Sequence, residues 1–590
     1  MSYTRLFDLL PYCLEKFPKN DVLAAKEDGK WITYSTQDYV NISTNLAYGL
    51  LAKGVQRDDK IGIIANNRPE WNFADMACLM IGTSNIPIYP TISDNDLEFI
   101  IKDAEIKYFF VSSKDLFDKV KRCSSKLNFV KSIYCFNKFE GGEHWSELLE
   151  LGKKNADASK LQAIKSSIKP NDLATILYTS GTTGNPKGVM LSHDNIVSQL
   201  KAVKRLMPVD HRHKALSFLP LNHVYERMLT YNYFACGTSI YYAESLDTIS
   251  ANLQEVKPHI FTTVPRLLEK VYDRIVAKGT ELTGIKKKLF FWALDLGLRF
   301  EMDGKNGWWY ETQLKLARKL IFSKWKEALG GELITTISGG AALQDRLARV
   351  FWAANIPVLQ GYGLTETSPV VAVNYLDKGC NRFGTVGPVI DNVQVKIAED
   401  GEILVKGPNI MLGYYKNPAA TAEVIIDGWF HTGDIGMFED GKYLKITDRK
   451  KEIFKTSGGK YITPGMIENK LRESPFIEQA MVIGENQKFA SALLVPAFAY
   501  LKDYCTKQNI KYTTNEEMVK NDVIKGWIRD EVEKMNKTLA QYETIKRFEL
   551  LPHEWSIDKG ELTPKMSLKR KVILTANKDL VDKIYGSDTL

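Results

Sequence analysis

The sequence predicts an α/β protein with a large multi-subdomain N-terminal body, built from two βαβ-type sheets and a small β-rich subdomain, and a smaller α+β C-terminal lid domain. Three observations predict this fold class. Helix and strand signals alternate over roughly the first 350 residues, short strands with glycine turns begin at Gly384, and a lysine-rich stretch with its own helices follows Asp448. The predicted domains are residues 1–448 and 449–590.

The first sheet is predicted from a repeated strand and helix pattern. Apolar residues at helical spacing end at Gly54, and the run KIGIIA that follows is typical of a strand buried on both faces. Such βαβ units build parallel sheets covered by helices. A second unit is predicted over 217–354. The predicted elements of the first unit are a helix at 38–53, a strand at 60–65, a helix at 71–82, a strand at 86–89, a helix at 94–103 and a strand at 108–111.

The composition is that of an ordinary globular protein, with 44% hydrophobic and 25% charged residues among 590, which excludes collagen-like, coiled-coil and disordered chains. The seven cysteines are never spaced C-x-x-C, so neither a disulfide framework nor a zinc knuckle is predicted. No apolar run reaches 18 residues, and Arg5, Asp8 and Glu15 interrupt the stretch that a signal peptide needs. We therefore expect a cytoplasmic protein.

Positive charge is small overall but concentrated locally. The net charge is +8, too little over this length to predict a nucleic-acid partner. Residues 266–330 hold fourteen Lys and Arg against eight Asp and Glu, and four of the eleven tryptophans. Helices that pack a core and expose a basic face are the commoner explanation, but a basic amphipathic stretch with tryptophan is also typical of contact with anionic lipid. Peripheral contact through 286–330 with the inner face of a membrane stays open at this point.

A loop rich in glycine and hydroxyl groups follows the apolar run LATILY at 173–178. Glycines permit close backbone approach, and backbone N–H groups, hydroxyls and a lysine donate to anionic oxygens. The loop is not a Walker A motif, because Pro186 precedes the lysine and a second strand is predicted at 189–191. The predicted phosphate-binding residues are Thr179, Ser180, Gly181, Thr182, Thr183, Gly184 and Lys187.

The stretch YTSGTTGNPKG resembles the phosphate-loop signature of the AMP-forming acyl-adenylate ligases, which include acyl-CoA synthetases, luciferases and adenylation domains. SGGA at 338–341 and QGYGLTET at 360–367 resemble that family's adenine-binding pair. The residue types suit the task, because Tyr362 offers a stacking face, Thr365 is a donor for the α-phosphate and Glu366 supplies a hard oxygen for Mg²⁺. The residues predicted to hold the nucleotide here are Gly339, Gly340, Ala341, Gln360, Gly361, Tyr362, Gly363 and Thr365, with Glu366 and Thr179 as ligands of Mg²⁺.

Two motifs near the predicted domain boundary extend the resemblance. WFHTGD at 429–434 resembles the ribose site of these ligases, in which Asp434 would accept hydrogen bonds from both hydroxyls. DRKKE at 448–452 resembles their hinge, although in isolation it is typical of a solvated charge run. By this resemblance Arg449 also reaches the ribose, Lys451 is the pivot, and Lys460 is a further nucleotide contact.

The stretch LPLNHVYER at 219–227 resembles the acyl-pocket segment in the form found in long-chain fatty acyl-CoA synthetases. The resemblance predicts that His223 and Val224 border the acyl carboxylate. It also makes His223 a catalytic residue, together with Lys187, Thr365 and Glu366.

The C-terminal tail departs from the family pattern. These ligases carry a lysine that neutralises charge during adenylation, in a stretch similar to TPTLKLKR, whereas this chain has TPKMSLKR at 563–570. The alignment puts Ser567 at the lysine position, and a serine supplies no positive charge. Either Lys565 or Lys569 substitutes, or adenylation is slow. Lys569 is favoured as the catalytic residue because the other motifs are intact.

The resemblance covers about residues 30–575 and implies a ligase that forms a carbon–sulfur bond in two steps. A long-chain fatty acid and ATP with Mg²⁺ give acyl-AMP and pyrophosphate, and the thiol of the co-substrate CoA then displaces AMP. The ATP and acyl sites are expected between the two domains. Three alternatives stay open: a fatty acyl-AMP ligase that serves a carrier protein, a catalytically impaired relative that binds lipid or ATP, and a kinase that releases ADP. The oligomeric state is also open, with a homodimer among the options.

Overall fold

The computed structural model describes residues 2–179, 185–245, 247–556, 559–563 and 568–586. The chain divides into two compact units, the first formed by residues 1–395, 405–431 and 440–444 and the second by residues 396–404, 432–439 and 445–590. The predicted α/β class, with a large N-terminal part and a smaller C-terminal part, is confirmed. The domain boundary between 448 and 449 stays a prediction.

Helices and strands follow each other along the described residues. The strands are β1 Leu23–Glu27, β2 Lys30–Tyr34, β3 Lys60–Ile64, β4 Ser84–Ile88, β5 Ile106–Val111, β6 Ser132–Cys135, β7 Glu143–His144, β8 Leu173–Thr179, β9 Lys187–Ser192, β10 Lys214–Ser217, β11 Ser239–Tyr242, β12 Ile260–Thr263, β13 Thr335–Ser338, β14 Val358–Gly363, β15 Val370–Val373, β16 Gln394–Ile397, β17 Glu402–Lys406, β18 Gly413–Tyr414, β19 Ile425–Ile426, β20 Trp429–Glu439, β21 Tyr443–Arg449, β22 Phe454–Lys455, β23 Tyr461–Ile462, β24 Ile477–Ile483, β25 Ser491–Pro496 and β26 Arg547–Leu550. The α-helices are α1 Leu9–Lys16, α2 Thr36–Ala52, α3 Pro69–Met80, α4 Asp94–Ala104, α5 Lys114–Ser124, α6 Ser146–Lys154, α7 Ala158–Ser167, α8 His193–Lys204, α9 Val224–Ala235, α10 Ile249–Val256, α11 Pro265–Glu281, α12 Gly284–Leu298, α13 Gly307–Ala317, α14 Ser323–Ala328, α15 Asp345–Ala353, α16 Pro418–Val424, α17 Pro464–Leu471, α18 Phe498–Lys507, α19 Asn515–Met518, α20 Asp522–Asn536, α21 Arg570–Ala576 and α22 Lys578–Tyr585.

The six elements predicted for the first sheet are all present, with ends that differ by no more than two residues. The helix predicted at 38–53 begins earlier, at Thr36, because Ser35 and Asp38 form a capping box. The Ser35 hydroxyl accepts from the Asp38 N–H at 3.0 Å, and the Asp38 carboxylate accepts from the Ser35 N–H at 2.9 Å. These two bonds satisfy backbone donors that a helix start otherwise leaves unpaired.

The first unit contains two eight-stranded sheets that are parallel in the middle, with antiparallel pairs at one edge of the first sheet and at both edges of the second. One has the order β18-β9-β8-β4-β3-β5-β6-β7, and β9 runs antiparallel to both β8 and β18. The other has the order β15-β14-β13-β12-β10-β11-β1-β2, with antiparallel pairs only at its two ends. The predicted parallel sheets are thus correct for the central strands. Strands β1 and β2, from before the first predicted helix, join the second sheet, which was not predicted.

Helices α3 and α9 lie in the core of the first unit and carry a buried charge pair. Every residue of α3 is buried, and so is every residue of α9 except Tyr225. The Arg227 guanidinium lies 2.6 Å from the Asp75 carboxylate and also donates to Thr175 Oγ1 of β8 at 2.8 Å. Asn85 and Tyr231 donate to the same carboxylate. This network ties both helices to the strand that leads into the predicted phosphate loop.

The second unit has its own core around the sheet β24-β25-β26. The helices predicted at 465–474 and 519–535 are present as α17 and α20. Helix α20 begins late because Asn521 caps it, with its side-chain oxygen accepting from the N–H groups of Val523 and Ile524 at 2.9 and 3.3 Å. The chain passes between the two units after residues 395, 404, 431, 439 and 444.

The basic stretch at 266–330 forms helices α11 to α14. Phe290, Leu296, Phe300 and Trp325 are buried, as core packing predicts. Leu316 and Leu320, which share the helical spacing, are instead 49% and 41% exposed, so the expectation of core packing is wrong for this part of the stretch. Within the described ranges, every helix is too short or too polar to cross a lipid bilayer.

Candidate active site

Three of the predicted binding stretches meet at one edge of the second sheet. SGGA begins at Ser338, the last residue of β13, and QGYG forms the last four residues of β14. The two strands are adjacent and parallel, with Ser338 opposite Gln360. The segment 219–227 follows β10 in the same sheet. In open α/β sheets, ligands bind at the carboxyl ends of parallel strands. The topology therefore supports the prediction that these stretches serve one site.

Tyr225 connects the acyl segment to the glycines after β13. Its hydroxyl donates to the Ile337 carbonyl at 3.0 Å, and a Cβ at Gly339 would lie 3.2 Å from Cζ of its ring. Gly340 has φ +82°, a left-handed conformation that favours glycine. Position 339 is therefore restricted by contact with the tyrosine and position 340 by backbone geometry. No role was predicted for Tyr225, although it lies within the acyl segment.

The predicted phosphate loop is closed by a hairpin. Thr179 ends β8 and Lys187 begins β9, where the two residues are opposite each other in an antiparallel pair. The Thr179 hydroxyl donates to the Lys187 carbonyl at 3.4 Å. The strand predicted at 189–191 is present within β9. The predicted residues Ser180, Gly181, Thr182, Thr183 and Gly184 lie outside the described residues.

Tyr414 brings two predicted catalytic residues together. The short strand β18 pairs with β9, so Tyr414 lies opposite Val189. The Tyr414 hydroxyl donates to Glu366 Oε1 at 3.0 Å, and the Lys187 ammonium lies 4.9 Å from the centre of the tyrosine ring. Burial, together with the Glu366 carboxylate, holds the pKa of Tyr414 well above its usual value. The tyrosine therefore remains a neutral hydrogen-bond donor. The Lys187 ammonium, the Glu366 carboxylate and the Tyr414 ring form one cluster.

A cleft of about 360 Å³ lies beside this cluster. It is lined by Phe99 and Asp103 of α4 and by residues 185–188 and 414–417, which include Lys187 and Tyr414. A larger cavity of about 490 Å³, in the second unit, contains none of the predicted site residues. We therefore take the smaller cleft as part of the candidate active site, because the predicted site residue Lys187 lines it.

The acyl segment begins helix α9 with a histidine cap. The Tyr225 N–H donates to His223 Nδ1 at 3.1 Å, so Nδ1 carries no proton and neutral His223 is protonated on Nε2. Val224 is buried, with 2% of its surface exposed. Asn222 donates to the carbonyl of Ile88 at 2.6 Å, which fixes the segment against the first sheet.

Glu226 is a fully buried carboxyl on α9. Ser217 Oγ donates to it at 2.6 Å, and the Thr262 hydroxyl donates to its other oxygen. Burial nevertheless raises the pKa of Glu226 to about 7, from 4.5. The folded protein thus holds this proton to a higher pH than the unfolded chain does. The resulting stabilisation is present below pH 4.5 and is lost as the pH rises through about 7.

We expect this loss to be measurable with Glu226→Gln, which cannot titrate. Between pH 5 and pH 8, the free energy of unfolding of the wild type should fall by about 3 kcal/mol relative to that of the variant. Urea unfolding of both proteins at the two pH values provides the comparison. A difference between wild type and variant that does not change with pH would contradict the assigned titration.

Several predicted site residues lie in the second unit. Asp434 is buried, its N–H donates to Thr432 Oγ1 at 3.1 Å, and its carboxylate lies 3.3 Å from Nε of the exposed Arg449. This places the two residues predicted to bind ribose side by side. Lys450 pairs with Asp400 and Glu402 at 2.6 and 2.9 Å, while its neighbour Lys451 is exposed.

The remaining predicted residues of this unit are two lysines. Lys460 is exposed, and its ammonium lies 5.8 Å from the centre of the Tyr542 ring. Lys569 precedes α21, and its N–H donates to the Glu561 carbonyl at 2.8 Å. Lys565 and Ser567, the other two residues of the tail alignment, lie outside the described residues.

The described residues contain no group of three or more His, Cys, Asp and Glu that could hold a metal ion. A single carboxylate such as that of Glu366 is nevertheless a typical protein ligand of Mg²⁺, which keeps several waters and binds substrate phosphates. The donor set thus fits a metal carried by a nucleotide better than a metal site made by the protein alone.

Comparison with known proteins identifies relatives over nearly the whole chain. The AMP-binding enzyme family matches residues 12–415, and the AMP-binding enzyme C-terminal domain matches residues 451–589. The long-chain-fatty-acid–CoA ligase FadD15 of Mycobacterium bovis is 32% identical over 95% of this chain and 94% of its own length. Long chain acyl-CoA synthetase 4 of Arabidopsis thaliana is 32% identical over 98% of this chain and 91% of its own length.

Solved structures share the fold at lower identity. The adenylation domain of a carboxylate reductase from Mycobacterium chelonae has a TM-score of 0.75 at 20% identity and covers 98% of this chain and 91% of its own. The anthranilate CoA ligase AuaEII, in complex with anthranoyl-AMP, has a TM-score of 0.72 at 16% identity and covers 97% of each chain. These likenesses concern the fold alone. The family match over most of the sequence confirms the resemblance found in the motifs, and the chain belongs to the AMP-binding enzyme family.

Proposed function

We propose that this protein is an AMP-forming long-chain fatty acid–CoA ligase. Fatty acid and ATP would give acyl-AMP and pyrophosphate, and the CoA thiol would then attack the acyl carbon and release AMP. The observation that carries the proposal is the cluster of Lys187, Tyr414 and Glu366 beside the phosphate hairpin. The names of relatives that match almost end to end favour CoA and long-chain acids over other acceptors and acids.

ATP and Mg²⁺ fit the residues of the first unit. Lys187 would donate to phosphate oxygens, with Thr179 at the other end of the loop. Glu366 would hold Mg²⁺, with Thr179 as a second ligand, and the metal would supply positive charge beside the phosphates. We assign the adenine to Gly339, Gly340, Ala341 and the stretch 360–363, and the α-phosphate to Thr365. No covalent enzyme intermediate is needed, so positioning and charge neutralisation carry the catalysis.

The acyl end of the substrate is assigned to the segment after β10. His223, with its proton on Nε2, would donate to the acyl carboxylate from the start of α9. Val224 is assigned to the same pocket. On the second unit we assign Asp434 and Arg449 to the ribose and Lys451 and Lys460 to further contacts, in a mobile domain at 449–590.

A thioester assay tests the proposal. Purified protein is given ATP, Mg²⁺ and acids from acetate to long-chain acids, with and without CoA, and the nucleotide product is identified. We expect acyl-CoA and AMP from long-chain acids. Accumulation of acyl-AMP that CoA does not consume would favour a ligase that serves a carrier protein. ADP would indicate a kinase, and absence of turnover with every acid would indicate a binding protein.

The tail lysine can be tested separately. We expect Lys569→Met to slow fatty-acid-dependent pyrophosphate release by about 10²- to 10³-fold, because a positioned charge donor is lost at the transition state. Ser567→Lys should leave the rate equal or faster. Thioester formation from supplied acyl-AMP should be unchanged in both variants. Strong inactivation by Ser567→Lys would show that the tail alignment is wrong. Loss of activity in Lys565→Met rather than Lys569→Met would assign the catalytic role to Lys565.

We also propose, as part of this function, that the protein meets its lipid substrate at a membrane surface through 286–330. The excess of lysine and arginine over 266–330 supports this contact.

A further inference from the structure

The outer face of helix α13 is unusually apolar. Trp308 and Trp309 are 78% and 62% exposed, although the inner face of the same helix is buried through Tyr310 and Leu314. The exposed residues recur at the spacing of a single helical face, one or two residues in every turn. This outer face, from α13 through the π-helical turn Arg318–Phe322, consists of Trp308, Trp309, Thr312, Lys315, Leu316, Lys319 and Leu320.

The opposite side of the helix packs against the core. The Tyr310 hydroxyl donates to the Leu296 carbonyl of α12 at 2.6 Å, and Trp292 Nε1 donates to Gln313 at 3.4 Å. These contacts show that α12 and α13 run antiparallel. The two tryptophan rings lie 5.7 Å apart, edge to face, at the start of α13. Four large apolar side chains are therefore presented to solvent on a supported helix.

Positive charge accompanies the apolar side chains. Lys315 and Lys319 lie on the outer face itself, and Lys286, Lys287 and Lys288 are exposed at the start of α12. Residues 284–326 hold ten Lys and Arg against four Asp and Glu. Lysine combined with tryptophan and leucine on one exposed helix face is the composition of helices that lie in the headgroup region of anionic membranes.

We propose that the outer face of α13 docks on an anionic lipid bilayer, with Trp308 and Trp309 inserted at the headgroup level and Lys315 and Lys319 against lipid phosphates. The positive charge of this face favours anionic lipid over a second copy of the chain as the partner. A second copy of the chain, related by twofold symmetry, would bring the same lysines against each other, whereas anionic lipid neutralises them. The inference rests on the proposed function only for the lipid nature of the substrate, and vesicle binding is measured without turnover.

The test is sedimentation of the full-length protein with vesicles of phosphatidylcholine, alone or mixed with phosphatidylglycerol. We expect binding to the anionic vesicles that weakens with salt and is much weaker to phosphatidylcholine alone. Lys315→Gln combined with Lys319→Gln should weaken it about thirtyfold, and Trp308→Ala combined with Trp309→Ala at least about tenfold. Val523→Ala, at a 47% exposed apolar side chain of the second unit, is the matched control and should bind as the wild type does.

Three results would overturn the proposal. The first is that the wild type fails to bind anionic vesicles, and the second is that both double variants bind as well as the wild type. The third is that the tryptophan variant changes the oligomeric state in the absence of lipid. The last result would assign the face to contact between copies. Because the four substituted side chains are exposed, we expect unchanged unfolding curves. Unchanged turnover of a water-soluble acid by the variants would separate failure of this inference from failure of the proposed reaction.

Discussion

Replacement of Glu366 by glutamine is expected to lower fatty-acid-dependent pyrophosphate release by about 10²- to 10³-fold. The change removes the negative charge that would hold Mg²⁺ next to the nucleotide phosphates. It keeps the size of the side chain, and it keeps an oxygen that can accept the hydrogen bond from the Tyr414 hydroxyl, which is 3.0 Å from Glu366 Oε1. The loss should therefore appear as a higher Mg²⁺ requirement and a lower rate, with the unfolding curve unchanged.

Glu423→Gln provides the matched control, because it makes the same chemical change at an exposed position on α16. Its pyrophosphate release should equal that of the wild type. Lys187→Ala should abolish the same activity through loss of a phosphate donor. Wild-type release by Glu366→Gln, at the same Mg²⁺ concentration, would rule out the assignment of Glu366 as the metal ligand.

Replacement of Arg227 by methionine should have the largest effect on stability. It leaves the Asp75 carboxylate buried without its guanidinium partner, and breaking a buried pair on one side typically costs about 3–5 kcal/mol. Asp75 is 0% exposed and Arg227 1% exposed, so water cannot replace the lost contact. We expect the urea concentration at the midpoint of unfolding of the first unit to fall accordingly.

Two control variants separate the buried charge from other effects of the substitution. Asp75→Asn added to Arg227→Met removes the orphan charge and should recover much of the loss. Arg122→Met breaks an exposed pair with Asp94 and should leave the midpoint unchanged, because exposed pairs contribute little. If Arg227→Met were as stable as the wild type, the network between α3, α9 and β8 would not be a determinant of stability.

Local signals in the sequence were sufficient to predict the elements of the first sheet and the phosphate hairpin. The helix at 36–52 has both a capping box and a glycine after its end, and β8 and β9 are apolar runs on either side of a polar loop. Signals of this kind depend on neighbouring residues only. Long-range pairing leaves no such trace, which is why the position of β1 and β2 in the second sheet was missed.

The same distinction explains which site residues were found. Glu366 and Lys187 lie in recognisable motifs, whereas Tyr414 reaches them only because a two-residue strand, β18, pairs with β9 across more than 200 residues of chain. Nothing near Tyr414 in the sequence indicates that contact. Asp75 is different, since a single acid within the apolar stretch 71–81 could have predicted a buried carboxylate with a distant basic partner.

The exposed face of α13 shows a limit of pattern analysis. Helical spacing alone assigned Leu316 and Leu320 to a core face, but α13 is apolar on both sides and the spacing does not say which side is buried. Only the contacts of Tyr310 and Trp292 with their neighbours show which face is turned inward.

Exchange of labelled pyrophosphate into ATP, in the absence of CoA, tests the central claim most directly. Reversible formation of acyl-AMP makes this exchange depend on a fatty acid and on Mg²⁺, and no later step is required. We predict exchange with long-chain acids in the wild type and its loss in Glu366→Gln. Absence of acid-dependent exchange, with ADP and phosphate as the products, would contradict the account.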